Sequence, residues 1–122
     1  MIIAVDFDGT CVTHEYPKIG RDIGAVPVLM DLTNNKHKLI LWTMRSGPEL
    51  KAAVDWFKII GIPLWGINTN PEQHEWTNSP KAYAELYIDD AALGIPLKRV
   101  TNNRPYVDWV KVRGLLEARG LL

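Results

Sequence analysis

One cysteine in 122 residues, Cys11, has no partner for an internal disulfide. That excludes the small scaffolds stapled by disulfides and fits a reducing compartment. Long apolar runs are missing too. No stretch approaches the roughly 20 residues that a membrane-spanning helix needs, and the first residues lack the basic-then-apolar layout of a secretory signal, so a cytoplasmic protein without a membrane partner is expected. Nor is there an excess of charge: 14 Lys and Arg face 14 Asp and Glu. No basic cluster stands out, which weighs against nucleic acid as a partner without excluding polynucleotide ends as substrates. What is present, 47% hydrophobic and 23% charged residues, is ordinary for a folded domain. The length suits a single domain over residues 1–122, with one core and no room for a second domain.

Met1 to Val5 is an apolar run that stops abruptly at Asp6, the pattern of a strand buried on both faces of a parallel sheet. A polar loop follows, then a helix over Val26 to Asn35, with Pro27 tolerated in its first turn. Lys38 to Trp42 reads as a second strand stopping at Thr43. Ser46 and Glu49 have capping-box spacing and open a helix that runs to Ile60 and closes at Gly61. Pro63 to Ile67 reads as a third strand, Asn68 to Asn78 as a loop, and Ser79-Pro80 as the cap of a very short helix. Leu86 to Ile88 is a fourth strand ending at Asp89 and Asp90, and Ile95 to Val100 a short edge strand. A last helix is expected from Pro105 to Ala118, with Tyr106, Val110 and Leu115 facing the core. Strand alternating with helix predicts an α/β fold, a three-layer, doubly wound parallel sheet with right-handed crossovers. In such sheets ligands bind beyond the carboxyl ends of the strands, where strand order reverses. Asp6, Thr43 and Asp89 all stand at such ends.

The chemistry concentrates in Asp6-Phe-Asp8-Gly-Thr10, where a hydrophobic strand delivers two carboxylates, two positions apart, into a turn. If the chain leaves strand geometry after Asp6, the Asp6 side chain and the Asp8 carbonyl can share a cation while the Asp8 side chain turns to a leaving group. Magnesium suits such oxygen ligands. A carboxylate nucleophile divides a hard hydrolysis into two displacements through an aspartyl phosphate. An Asp-Gly pair after a strand is also the ordinary composition of a turn. Asp89 and Asp90 add two acids at the same edge, however, and four clustered acids repel one another unless a cation is present. Thr43 offers a hydroxyl to a phosphoryl oxygen. Lys81, eight residues before Asp89, could offset charge, although most lysines are solvated surface.

These segments resemble the motifs of the haloacid dehalogenase superfamily of phosphohydrolases, in order, from Ile2 to Asp90. Asp6-Phe-Asp8-Gly-Thr10 resembles the first motif and Leu39-Ile-Leu-Trp-Thr43 the second; Lys81 matches the third and Tyr87-Ile-Asp89-Asp90 the fourth. The first and fourth are specific in themselves. The resemblance implies a Rossmann-like core with Asp6 as nucleophile, Asp8 as general acid and base, and Thr43 and Lys81 as phosphate binders. It also implies Gly9 and Thr10 in the substrate-binding turn, and Mg2+ held by Asp6, Asp8, Asp89 and Asp90. An acid at Asp8 favours the phosphatase branch. The gaps that usually hold a cap domain are short here, leaving a flap over Cys11 to Gly24 and a loop over Asn68 to Asn78. A capless phosphatase is therefore implied, one that takes bulky phosphorylated substrates or is covered by a second copy in a homo-oligomer.

Specificity would then rest on loops. Arg45, two residues after Thr43, is the foremost candidate for a second phosphate or carboxylate, because a guanidinium binds both oxygens of an anion; a surface salt bridge is the plain alternative. His14, Asn70, His74 and Trp76 are weaker candidates that read as exposed loop residues. Trp42, Trp56, Trp65 and Trp109 read as packing, and Cys11 as a small buried hydrophobe. Two rival functions are a phosphoacceptor receiver switch and a binding module that kept the fold but lost activity. The receiver needs its phosphoacceptor at the end of the third strand, where Gly66-Ile67-Asn68 supplies no acid.

Overall fold

The computed structural model describes all 122 residues. Its main sheet has four parallel strands in the order β3-β2-β1-β4, namely β1 (Ile2–Val5), β2 (Lys38–Leu41), β3 (Gly66–Ile67) and β4 (Leu86–Ile88). Three helices, α1 (Ala25–Asn34), α2 (Gly47–Ile60) and α3 (Trp109–Ala118), join a small antiparallel pair, β5 (Leu97–Lys98) with β6 (Tyr106–Val107). The architecture is mixed α/β and compatible with a Rossmann-like core.

Register explains how the sheet is covered. Ile3, Leu39 and Leu86 lie side by side, as do Val5, Leu41 and Ile88. Alternate residues of a strand point to opposite faces, so these six share a face. There they pack with buried residues of all three helices: Val28, Leu29 and Leu32 of α1, Ala53 and Phe57 of α2, and Trp109, Val112 and Leu116 of α3. Ala4 and Ile40, on the other face, pack with Ala84 from the coil before β4, beside Trp42, Trp65 and Tyr87. Right-handed crossovers account for this division. The chain winds from β1 through β2 to β3 with its helices on one face, then must return past β1 to reach β4, which sends residues 68–85 across the other face. That connection is coil around one 3-10 turn, Gln73–Glu75. Helices thus cover one face and coil the other, where the sequence pattern predicts helical layers on both.

Local chemistry sets the element ends. Asp22 Oδ1 accepts from the N–H groups of Gly24, Ala25 and Val26 at 3.2, 3.0 and 3.2 Å, so α1 starts one residue before the apolar pattern suggests. Ser46 stands at the N-cap of α2, but its side chain accepts no bond and the expected capping box does not form. The short helix at Ser79-Pro80 is absent. Gln73 Nε2 instead donates to the Ser79 and Lys81 carbonyls at 3.0 and 2.9 Å, and the Ser79 hydroxyl accepts from Lys81 N–H at 3.2 Å, which holds the segment in an irregular bend. The expected edge strand at Ile95 to Val100 is β5, paired with β6 rather than with the main sheet. Because Tyr106 and Val107 are spent on that pair, α3 begins only after Asp108, whose side chain caps Lys111 N–H at 3.2 Å. Its core face is therefore Trp109, Val112 and Leu116, while Val110 and Leu115 are exposed.

Candidate active site

Parallel strands bring their carboxyl ends to one edge. Asp6 follows β1, Thr43 stands two residues beyond β2, Asn68 follows β3 and Asp89 follows β4. Strand order reverses between β1 and β4, the place where open α/β sheets take ligands. A cavity of about 310 Å3 opens there, lined by Asp6, Trp42, Thr43, Met44, Asn68 and Asp89. A larger hollow of about 590 Å3 between α2 and β3 shares no residue with it and holds Lys58 as its one charged group.

Thr10 organises the acids. It is fully buried, and its hydroxyl donates to Asp6 Oδ2 at 2.8 Å and accepts from Asp90 N–H at 3.0 Å. The hydroxyl is thus spent inside the site, and the role expected for Thr10 as a substrate contact becomes one of alignment. Gly9 is equally occupied: its N–H donates to Val12 O at 2.7 Å and its carbonyl accepts from Val107 N–H at 3.0 Å. It also needs to be glycine, since φ is +77° and a Cβ would collide with the His14 ring and with Asp90. One carboxylate oxygen each from Asp6, Asp89 and Asp90 falls within 4.8 Å of the others. Burial first and the Asp89 charge second push the Asp6 carboxyl from 3.8 up to about 8, against the pull of the Thr10 hydroxyl. Burial also raises Asp89, with Asp90 adding to it.

Asp8 is not in that cluster. Its carboxylate lies in the fork of Arg45, with Nε to Oδ2 and Nη2 to Oδ1 both at 2.8 Å. The other Arg45 donors reach the carbonyls of Pro17 at 3.1 Å, Glu49 at 3.2 Å and Lys18 at 2.7 Å. Arg45 is 3% exposed and all five of its N–H groups are used. It is therefore neither a free anion binder nor a surface salt bridge, and both expectations for it are corrected. The flap carbonyls of Pro17 and Lys18, the first turn of α2 and the Phe7 and Tyr16 rings enclose it, an arrangement set mostly by contacts distant in sequence.

The remaining expected residues separate. Thr43 lines the cavity, its N–H held by Asn68 Oδ1 at 2.8 Å and its hydroxyl accepting from Arg45 N–H at 3.2 Å. Lys81 is exposed, with its ammonium 5.6 Å from the Tyr87 ring centroid, and it makes no ion pair with the acids. The irregular course of residues 79–85 puts it there. His14 is not an exposed loop residue: its ring lies over Gly9, with Nε2 3.4 Å from Asp90 Oδ2 and 3.2 Å from the Pro105 carbonyl. Asn70 is buried and holds the loop through Tyr83 O at 2.9 Å, whereas His74 and Trp76 are exposed. Cys11 is fully buried, as expected, and burial pushes its thiol well above its ordinary value. Asn68, Trp42 and Met44 were not singled out as site residues. The rule that selects Asp6 and Asp89, position just after a strand, also selects Asn68.

The donor set suits a hard divalent cation. Three carboxylate oxygens converge, the Asp8 carbonyl in the turn after Asp6 accepts no hydrogen bond, and a cation would relieve the repulsion that raises Asp6 and Asp89. No helix is long and apolar enough to cross a membrane.

A solved structure of a conserved protein from Bacteroides thetaiotaomicron is similar to this chain along almost its whole length, at 39% identity over 98% of this chain and 91% of that one, with a TM-score of 0.77. No family model matches the chain, and no curated protein does.

Proposed function

We propose that this chain, which belongs to one family with that conserved Bacteroides protein, is a magnesium-dependent phosphohydrolase, a capless member of the haloacid dehalogenase superfamily working in the cytoplasm. The observation that carries the reading is the convergence of Asp6, Asp89 and Asp90 at the point where strand order reverses, with Asp8 two residues from Asp6 yet held apart from the cluster. The four motifs that resemble the superfamily add to it. The Asp6, Asp89 and Asp90 carboxylates and the Asp8 carbonyl would hold Mg2+, which supplies positive charge to offset the phosphoryl oxygens and keeps Asp6 ionised.

Asp6 attacks phosphorus through the carboxylate oxygen that faces the cavity. The P–O bond to the leaving group breaks, and the leaving oxygen takes the proton carried by the Asp8 carboxyl, which is left as carboxylate. Each Asp8 oxygen accepts one N–H from Arg45 and keeps a second lone pair, so the carboxyl has capacity for proton transfer while its orientation is held. In the second half Asp8 draws a proton from water, which attacks phosphorus and frees Asp6. The N–H groups of Asp8 and Met44 donate to no protein atom and are available to the phosphoryl oxygens. Arg45 and Lys81 stand away from the cavity, so charge neutralisation falls to the cation. The open edge fits bulky phosphorylated substrates or closure by a second copy.

The test is hydrolysis of an aryl phosphate with and without Mg2+. Turnover should require the metal and vanish in Asp6→Asn; full turnover by that variant, or in excess chelator, would overturn the assignment.

A further inference from the structure

Arg45 collects its five bonds from three places: Asp8 in the turn after β1, Pro17 and Lys18 in the flap, and Glu49 in the first turn of α2. Its guanidinium carbon also lies 5.1 Å from the Phe7 ring centroid and 5.2 Å from that of Tyr16, one ring from the core and one from the flap. Residues 15–18 are exposed, whereas Ile19 packs against the main core and Gly20 lies against Thr13. Apart from the bonds to Arg45, the one hydrogen bond of residues 15–18 is internal, from Lys18 N–H to the Glu15 carbonyl at 2.8 Å. A buried guanidinium with every donor satisfied keeps one orientation, since turning away from any partner leaves a buried charge short of a bond. The flap and Asp8 therefore share one fixed point.

From this geometry we infer that Arg45 is a positioning residue that couples the conformation of the flap at residues 15–18 to the orientation of the Asp8 carboxylate. When the flap is seated, its two carbonyls and the Tyr16 ring hold the guanidinium, and the guanidinium presents Asp8 in the orientation used for proton transfer. When the flap lifts, Arg45 loses two acceptors and Asp8 its rigid support. The catalytic consequence rests on the phosphohydrolase reading, whereas the mechanical coupling does not.

The carbonyl that accepts from Nη2 at 2.7 Å belongs to the Lys18–Ile19 peptide bond, a trypsin site whose lysine is exposed. Arg45→Lys and Asp8→Ala should each speed cleavage after Lys18 by about tenfold or more, the loss expected when charge-assisted hydrogen bonds are removed, and the double variant should be cut no faster than the faster single. Cleavage after Lys58, exposed on α2, is the internal reference and should hardly change. With para-nitrophenyl phosphate, Arg45→Lys should lower kcat about tenfold, keep KM within about twofold, and add little to Asp8→Ala. Unchanged cleavage after Lys18 in either single variant overturns the coupling. So does equal acceleration after Lys58, which would mean that Arg45 and Asp8 only support the fold. A raised KM with unchanged kcat would make Arg45 a substrate contact instead. If the wild type does not hydrolyse the probe, the phosphohydrolase reading falls, and trypsin still decides the coupling.

Discussion

Asp6 and Asp8 leave the same strand two residues apart, yet Asp6 faces two further carboxylates while Asp8 lies in the fork of a guanidinium. The first region is electrostatically frustrated. Its acids are half-buried at the carboxyl ends of the strands with one hydroxyl between them, and Asp6 is pushed up to about 8 in consequence. The second is saturated, with Arg45 matched donor for acceptor. Two acids that look equivalent in a motif thus take different work from their surroundings: the frustrated one gains most from a cation, and the saturated one is held to a single orientation.

The largest effect that would break this contrast concerns Asp8. With an aryl phosphate the leaving group needs little help, so Asp8→Ala should still phosphorylate Asp6 but release phosphate about a hundred- to ten-thousand-fold more slowly, the usual range for a general acid or base. One hydroxylamine-labile phosphoryl group per chain should be trapped in this variant and none in Asp6→Asn. Turnover at the native rate without trapped label would show that Asp8 has no such role.

A smaller effect sharpens the first region. Between the ordinary 3.8 and about 8, the folded protein holds a proton on Asp6 that the unfolded chain has released. Stability in chelator should therefore fall as pH rises from about 5 to about 8, because the native state binds more protons than the unfolded one across that window. Asp6→Asn should flatten this slope, and Mg2+ should raise Tm more at pH 8 than at pH 5, by about 4 °C or more if the difference is worth about 1 kcal/mol. A Tm that is flat with pH in chelator would contradict the frustration described for Asp6.

The smallest effect concerns Lys81, exposed and unpaired with the acids. Lys81→Ala should keep kcat within about fivefold of wild type, near the upper limit for an exposed ion pair of about 1 kcal/mol. A hundredfold loss would instead show that residues 79–85 rearrange to bring the ammonium to the phosphate.

Legibility followed the range of the interactions. The four strands of the main sheet and the three helices were readable because apolar runs and glycine stops are local signals, and the acids were readable because a parallel sheet carries every strand end to one edge. The coil over residues 68–85 was not, since Ser79-Pro80 has the composition of a helix cap and the Gln73 amide, earlier in the chain, holds it in an irregular bend instead. The face of α3 was missed for a related reason: Tyr106 and Val107 pair with Lys98 and Leu97, which shifts the helix start and its buried stripe. Arg45 was misread because a guanidinium near a strand end carries no sign of what encloses it. His14 was undervalued because its contacts are with Asp90 and Pro105, far along the chain.

Trp109 donates its indole N–H to the Thr10 carbonyl at 2.6 Å, and Val107 N–H bonds the Gly9 carbonyl. Together with the contact of His14 to Pro105, these bonds close the turn that carries Asp6 and Asp8 with residues made about a hundred positions later. During synthesis the acid edge consequently stays unassembled while most of the chain has already emerged, and loop closures this long are late and slow. A growing chain with Asp6, Asp8, Asp89 and Asp90 all translated would still lack the bonds that hold their turn. The turn is completed only by residues 105–109, so a chain truncated before Pro105 should carry the whole motif set and lack these bonds.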